Sequence, residues 1–522
     1  MTKKTKRNDM QGQREVSRRS FVGGAGALAA VGAMGAGLAG SVALAAEGSA
    51  AADAKATSHV ADAAGVADWD ETFDVVVVGS GAAGHAAAIE AARAGASTLL
   101  LEKTDIVGGD SMACDGILGG WGTRLAKAQG IELTADETYA LFMSHPDWYG
   151  PHDPAVARVA ADRCGETIDW LEELGVPFEQ DVAPRFNYTD LPAIHQVEGK
   201  GAAMMTTLAE VAVKEGVDVR TGMPVTQLVT KEGRVTGVVA GSAEAPVRIA
   251  TTGGVVLATG GYGASAALLV ALDPENAGLM PTSASGMTGD GLVMGQAVGA
   301  HVTRTAYQPM MYSLGGMGTQ TVVTLDYTGR LHGILLDATG NRFCNEGMEF
   351  LSREVQRATL RKQNEQGAPV VYLLPTSEAT AELTGSPTFD WTPFETPGEA
   401  AAALGLDAAA VDATAERYDN FVAAGVDEDF GRPVDDMMPM SGPFYAVAVT
   451  VITNVTTGGL KTDAGARVLR LKAPGEEGDA LVAIPGLYAA GEVCEWNVAA
   501  GWTVCTAATM GRIAGQNAAA GK

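Results

Sequence analysis

The apolar residues of this chain fall into two patterns along its length. Apolar runs occur within residues 74–78, as four consecutive valines, within 98–101, and in the stretch "GGVVLATGG" from 253. A half-exposed strand would alternate apolar and polar positions, so such runs predict strands of a parallel sheet buried on both faces. Between the first two runs an Ala-rich stretch to Ala94 predicts a helix, giving the strand, turn, helix, strand order of a βαβ unit. A further glycine-rich strand and helix pattern occupies 486–519, at the other end of the chain. Between about 305 and 450 the glycine-strand pattern lapses.

The first residues read differently. A basic head with Lys3, Lys4, Lys6, Arg7 and Arg14 precedes an apolar stretch from Phe21 and small residues at Ala43, Leu44 and Ala45. Those are the three parts of an export signal. The apolar stretch is mostly Gly and Ala, too weakly hydrophobic for a membrane span, and Arg18-Arg19 between Ser17 and Phe21 reads as a twin-arginine address. The expected organisation is a signal over 1–46, a linker over 47–70, a first part of the main domain over 71–305, an insertion over 306–450 and a second part over 451–522. The expected location is the periplasmic or extracytoplasmic face of the cell envelope.

Without residues 1–45 the chain has 29 basic against 60 acidic residues, a net charge of −31. A surface of that sign repels nucleic acid and anionic lipid, so a small-molecule substrate or a basic redox partner is favoured. No second apolar run reaches membrane-spanning length, and no transmembrane segment is expected in the mature chain. Five cysteines (Cys114, Cys164, Cys344, Cys494, Cys505) include no Cys-x-x-Cys pair, which excludes a haem attachment motif, a thioredoxin-like centre and a zinc ribbon within the chain. Cys494 and Cys505 are a conceivable disulfide, although buried free thiols are the favoured reading, and no metal site is expected.

The first turn carries chemistry. Gly79, Gly81 and Gly84 form G-x-G-x-x-G after the valine strand, and Glu102 ends the second strand 18 residues beyond Gly84. The three glycines serve separate purposes. The first turns the chain, the second admits a pyrophosphate to the backbone, and the third lets helix and strand pack closely. The helix N-terminus offers free N–H groups to phosphate, and Glu102 is placed to accept hydrogen bonds from a ribose hydroxyl pair.

"EKTDIVGGDSMACDG" after Glu102, "GGVVLATGGYGAS" (253–265), "TGDGLVMGQAVGA" (288–300) and the 486–519 stretch complete a set. Together they resemble the FAD-binding flavoproteins of the fumarate reductase and 3-ketosteroid dehydrogenase superfamily, over nearly all of the mature chain. The resemblance implies an α/β fold: a Rossmann-like FAD-binding domain built from both chain ends, with an inserted α+β capping domain. It implies non-covalent FAD held by Gly79, Gly81, Ala83, Gly84, Glu102, Lys103, Gly109, Asp110, Ser111, Gly116 and Gly260. Val225 should hold the adenine by its backbone, Asp290 and Glu492 should reach sugar or ribityl hydroxyls, and Thr503 and Val504 should place a helix N-terminus against the flavin pyrimidine.

Reduction of an activated double bond needs a hydride donor, a placed acid and donors for the developing charge on the carbonyl. "GNRFCNE" (340–346) resembles the family's Gly-x-Arg-Phe-x-Asn-Glu, after which fumarate reductases place a proton-donating arginine; the aligned position here is Phe350, and Arg353 is the nearest candidate. Tyr307 and Tyr312 lie where those enzymes place a substrate histidine. The histidine of their substrate-carboxylate clamp is matched by Asn454 or Val455, and its arginine by Val498 or Trp502. Without those cations a dicarboxylate lacks charge-assisted bonds of roughly 1.5–3 kcal/mol each, which disfavours fumarate. "NVAAGWTVCTAATMG" instead resembles the ketone-binding segment of 3-ketosteroid dehydrogenases, with Asn497 in place of its tyrosine and Gly501 in place of its glycine.

The sequence therefore predicts an FAD-dependent oxidoreductase of the CH–CH class that reduces, or reversibly forms, a C=C bond conjugated to a carbonyl. Its substrate should be mostly neutral, enone-like, aromatic or steroid-like, with electrons exchanged with a separate membrane-linked donor or quinone. Alternatives are an acrylate or fumarate-type acid reductase and a non-catalytic flavin electron carrier.

Overall fold

The computed structural model describes residues 59–62, 68–144, 153–182, 193–303, 310–314, 332–347, 353–377, 380–381, 391–453, 455–495 and 501–522. In chain order the strands are β1 (Val60–Asp62), β2 (Glu71–Val78), β3 (Thr98–Leu101), β4 (Ile117–Gly119), β5 (Ile194–Gln196), β6 (Asp218–Arg220), β7 (Val225–Lys231), β8 (Arg234–Gly241), β9 (Pro246–Leu257), β10 (Val302–Thr303), β11 (Met310–Leu314), β12 (Ile334–Leu336), β13 (Val370–Leu374), β14 (Tyr445–Thr453), β15 (Gly459–Leu460), β16 (Arg467–Leu471) and β17 (Leu481–Ala489). The helices used below are α1 (Ala82–Arg93), α2 (Gly109–Ala113), α3 (Pro154–Glu173), α4 (Asp290–Ala297), α5 (Arg353–Gln366), α6 (Ala408–Ala424) and α7 (Thr503–Ala520).

The main sheet runs β1-β7-β8-β9-β2-β3-β6, with β17 also paired to β9 and β16 to β17. Strands β6, β3, β2, β9 and β17 are parallel, and β8 is antiparallel to both β7 and β9. The valine run is fully buried, as its unbroken apolar character demands, because alternate valines enter core clusters on opposite faces of the sheet. β9 changes partner along its length: 246–250 pair with β8, and 255–257 with β17. That switch brings the C-terminal part of the chain into a sheet founded by its N-terminal part. The carboxyl ends of the parallel strands are tied in sequence, Gly79 N–H to Leu101 O, Ala258 N–H to Val78 O and Ala490 N–H to Leu257 O. Ligands of open α/β sheets bind at this edge.

Helix α7 lies along α1. A Cβ on Gly511 would stand 2.3 Å from the Ala83 carbonyl oxygen, and one on Gly515 2.1 Å from that of Ala87. Since 511 meets 83 and 515 meets 87, the helices are parallel, and α7 begins eight residues, about 12 Å, beyond the level of Ala83.

The insertion forms a separate antiparallel sheet, β11-β14-β13-β12. Its β13 is buried at every position because alternate residues meet opposite layers. Val370, Tyr372 and Leu374 pack with Val355 and Leu360 of α5, whereas Val371 and Leu373 pack with Val411, Ala415 and Tyr418 of α6. β14 runs through the expected boundary at 450, because the apolar run continues to Thr453, and the expected linker over 47–70 contains β1, which pairs with β7. The β2 strand begins at Glu71, four residues before the first of the four valines.

The "GNRFCNE" motif builds a charged core in this domain. Arg342 binds Glu346 at 2.7 Å and Asp427 at 2.9 Å, with all three side chains almost fully buried, and its guanidinium lies over the rings of Tyr418 and Phe430. Glu346 also accepts from Leu335 N–H, so the motif fastens β12 to the loop around Asp427.

Gly515→Ala should destabilise the protein by about 1–3 kcal/mol, since the added methyl meets backbone rather than a movable side chain. Thermal denaturation with and without added FAD measures the loss.

Candidate cofactor and active site

The three glycines of the first turn are glycines for three different reasons. Gly79 has φ +103° and its Cβ would meet the Ala258 carbonyl at 2.3 Å; Gly84 would drive a Cβ to 1.9 Å from Gly79 O. Gly81 has an ordinary φ of −69°, and among the described residues nothing lies closer than 3.5 Å to a Cβ there. Neither backbone strain nor packing against the chain explains Gly81. A group lying across the turn does, and the N-terminal residue of α1 follows directly.

Side chains arranged around this turn hold it open at one side. Ser80 donates from its N–H and hydroxyl to one oxygen of Glu102 (3.2 and 2.5 Å), and Thr104 donates from its N–H and hydroxyl to the other (both 2.9 Å). Glu102 is thus fixed at the tip of β3. Ser111, in α2, accepts the first N–H of α1 at 3.1 Å. Met223 N–H donates to Glu102 O, which brings the start of β7, and so buried Val225, beside the acid. Lys103 reaches the other way, to Thr288 hydroxyl (2.6 Å) and Asp290 (2.8 Å), the first residue of α4.

The second glycine loop is locked to the far end of the chain. Thr456 donates from its N–H and hydroxyl to Glu492 (2.6 and 2.7 Å), and a Cβ on Gly261 would stand 1.9 Å from that hydroxyl. Gly260 takes φ +70° against Met287, and Gly116 φ +70° against the Lys200 backbone. Gly109 takes φ +50° with open space around it. Burial, then the charge of Asp110, pushes the Glu492 carboxyl up to about 7; burial likewise raises Asp110, which accepts Ala284 N–H at 2.5 Å.

At the start of α7 no side chain caps the helix. Among the described residues nothing accepts the N–H groups of Thr503 and Val504, which lie in the first turn of the helix. Gly501, at φ +82°, accepts Gly119 N–H on its carbonyl at 2.7 Å, which fixes the peptide ahead of α7.

The donor set fits a dinucleotide carrying a ring system at one end. It comprises an acid for a ribose, a glycine cradle at a helix N-terminus for a pyrophosphate, acids for further hydroxyls and a second helix N-terminus about 12 Å beyond. The fold and site therefore define an embedded-dinucleotide flavoprotein.

Comparison agrees. Residues 74–504 match the FAD binding domain family, and the chain belongs to it. It is 29% identical over 571 residues to the digoxin reductase of Eggerthella lenta, covering 97% of this chain and 98% of that protein. The open form of a flavocytochrome c3 fumarate reductase superposes with TM-score 0.73 at 27% identity, over 88% of this chain and 80% of that one. A 3-ketosteroid-Δ4-(5α)-dehydrogenase from Rhodococcus jostii superposes with TM-score 0.65 at 28% identity, over 88% of this chain and 99% of that one. The protein is an FAD-dependent oxidoreductase of the CH–CH class.

The catalytic candidates are less fully placed. Tyr307, Asn454 and Asn497 lie outside the described residues; Tyr312 is in β11 and Arg353 opens α5, with only their backbones described. Trp502, one of the two positions matched in sequence to a clamp arginine, is core: it is 4% exposed, edge-on to Phe142 at 5.0 Å, and would collide with any Cβ on Gly119. Cys505 does not face Cys494; its thiol donates to the Cys164 carbonyl of α3, and all five cysteines are free. His195 is buried and paired with Thr123, and burial lowers its pKa.

Sequence reasoning missed two site features. His85, fully buried one turn into α1, places Nδ1 2.7 Å from Ser80 O, bracing the turn from behind. Its signal was a lone polar residue in an alanine run. Thr456 and Thr457, whose carbonyl accepts from the Tyr262 hydroxyl, carried no signal beyond their neighbouring glycines.

Gly81→Ala should leave the stability of the cofactor-free protein within about 0.5 kcal/mol of wild type in thermal denaturation, because the methyl meets nothing closer than 3.5 Å. FAD affinity, followed by flavin fluorescence, should fall about tenfold or more, some 1.4 kcal/mol.

The folded Glu492 carboxyl keeps its proton up to about pH 7, whereas the unfolded one loses it near 4.5. This group therefore stabilises the cofactor-free fold fully below pH 4.5 and progressively less as pH rises through 7. Glu492→Gln should stabilise the cofactor-free protein at pH 8, by at most about 3 kcal/mol, and the gain, read from melting curves, should vanish near pH 4.5.

Proposed function

We propose that this enzyme reduces the C=C bond of a mostly neutral enone-type molecule, flat and aromatic or steroid-like. The observation that carries this reading is the fate of Trp502, one of the two positions, with Val498, matched to a carboxylate-clamp arginine. Trp502 is turned into the core against Gly119 and Phe142, so nothing charged can reach out from there. A relative named for reducing digoxin and a structural neighbour solved with 4-androstene-3,17-dione favour the same substrate class.

FAD, when bound, supplies the hydride. The chain's own residues must then orient the substrate, exclude water and deliver a proton. In this reading the Gly501 N–H and Asn497 hold the carbonyl oxygen, and Arg353, with Tyr307 or Tyr312, delivers the proton. Glu102, Asp290 and Glu492 keep the cofactor seated through its hydroxyls.

The leader supports export by the twin-arginine route, with the cofactor already inserted, and electron exchange with a membrane-linked carrier or quinone at the extracytoplasmic face. Among the described residues no helix is long and apolar enough to cross a membrane.

Anaerobic dye-reduced protein should be reoxidised faster by enones than by acrylates and slowest by fumarate, and Arg353→Lys should slow the enone reaction while flavin stays bound. Absorbance at the flavin band reads both. Reoxidation fastest with fumarate, or with no acceptor in the panel, would defeat the proposal.

A further inference from the structure

Residues 273–284 touch three parts of the molecule in succession. At their start, Arg357 of α5 pairs with Asp273 and with Glu275, both at 2.8 Å. Asn364, two turns further along the same helix, donates to Ala277 O at 2.6 Å, and Gly278 leaves room for that amide, which would stand 2.0 Å from a Cβ. In the middle, Thr453 N–H donates to Met280 O, and Thr282 bonds Thr453 twice, from its N–H to the hydroxyl at 3.2 Å and from its hydroxyl to the carbonyl at 2.5 Å. Thr453 ends β14, immediately before Asn454. At the far end, Ala284 N–H donates to Asp110, and Ser283 fills the space left by Gly263 of the second glycine loop.

We propose that this segment is a strap through which the cofactor site positions the inserted domain over the substrate, and that Arg357 is its positioning residue on the α5 side. Helix α5 is held to its own sheet by Gln363, which accepts Val451 N–H at 3.0 Å, and by apolar contacts. Beyond that sheet, Arg357 and Asn364 tie it to residues 273–277. Arg353, at the first turn of α5, lies one turn from Arg357. Whatever fixes Arg357 therefore fixes the backbone that carries Arg353. The opposite end of the strap hangs on Asp110, an acid of the cofactor site whose position a bound FAD constrains. An Arg357 side chain that is mostly buried, facing one nearly buried and one exposed acid, suits an anchor that holds but can release.

This rests on reading the insertion as the substrate cap, and the deciding measurement needs no substrate. Hydrogen exchange of the full chain, with and without FAD, should show several-fold slower exchange in 353–366 when FAD binds. In Arg357→Ala that protection should be lost while FAD affinity stays close to wild type, and Arg357→Lys should restore part of it. Glu275→Gln, which removes only the exposed arm of the pair, should weaken protection without risk to folding. With an acceptor that turns over, Arg357→Ala should raise KM more than it lowers kcat. Unchanged FAD protection of 353–366 in both Arg357→Ala and Glu275→Gln, or no protection in wild type, would overturn the strap. Failure of every acceptor to turn over, with protection behaving as expected, would count against the substrate reading alone.

Discussion

The molecule depends on one close contact, between α1 and α7. Glycine at 511 and 515 lets the backbones of two parallel helices approach until a single methyl group would collide with a carbonyl oxygen. That closeness has a functional consequence, because it fixes the two helix N-termini at different depths along the same edge of the sheet. The start of α1 serves the middle of a long cofactor and the start of α7 serves its far end. A site of this kind cannot exist in half of the chain. It forms only when β17, from the C-terminal part, has docked on β9 and carried α7 into place.

The insertion obeys the same economy with different chemistry. Its sheet is covered by helices on both faces, and its core holds an ion network beside the apolar packing. Arg342 and Arg432 balance Glu346 and Asp427 in a buried four-residue network that also holds the backbone of β12, and loss of any one member would strand a buried charge at a cost of about 3–5 kcal/mol. Such a core holds the domain as a unit. Movement relative to the cofactor would then occur at its edges, where polar anchors such as the Thr282 and Thr453 pair replace apolar packing.

What could be read from the sequence follows from what leaves a local trace. Four valines in a row declare a strand buried on both faces, and G-x-G-x-x-G with a following acid declares the turn. The identical glycines conceal three separate causes, which only the surroundings of Gly79, Gly81 and Gly84 tell apart. FAD and the two-ended domain were legible because motifs at both ends belong to one cofactor. The continuation of β14 past 450 was not, because a strand that pairs with β13 and β11 is recognised through partners distant in sequence. Trp502 shows the limit for side chains: an aromatic beside a glycine reads equally as a stacking platform or as core. Its direction is decided by Gly119, nearly four hundred positions away.

The electrostatics of the cofactor site add a last step. Asp110 and Glu492 are both held where burial works against their charge, and the charge of the first raises the second. At the starts of α1 and α7 no N-cap side chain accepts the free N–H groups, although Ser111 takes that of Ala82. Acids whose charge is opposed by burial and helix ends without a side-chain cap are each unfavourable alone. A ligand with hydroxyls in its middle and oxygens at its phosphates and ring supplies both kinds of partner at once. The fold thus carries unfavourable terms, at its buried acids and at its uncapped helix ends, that a bound cofactor would offset.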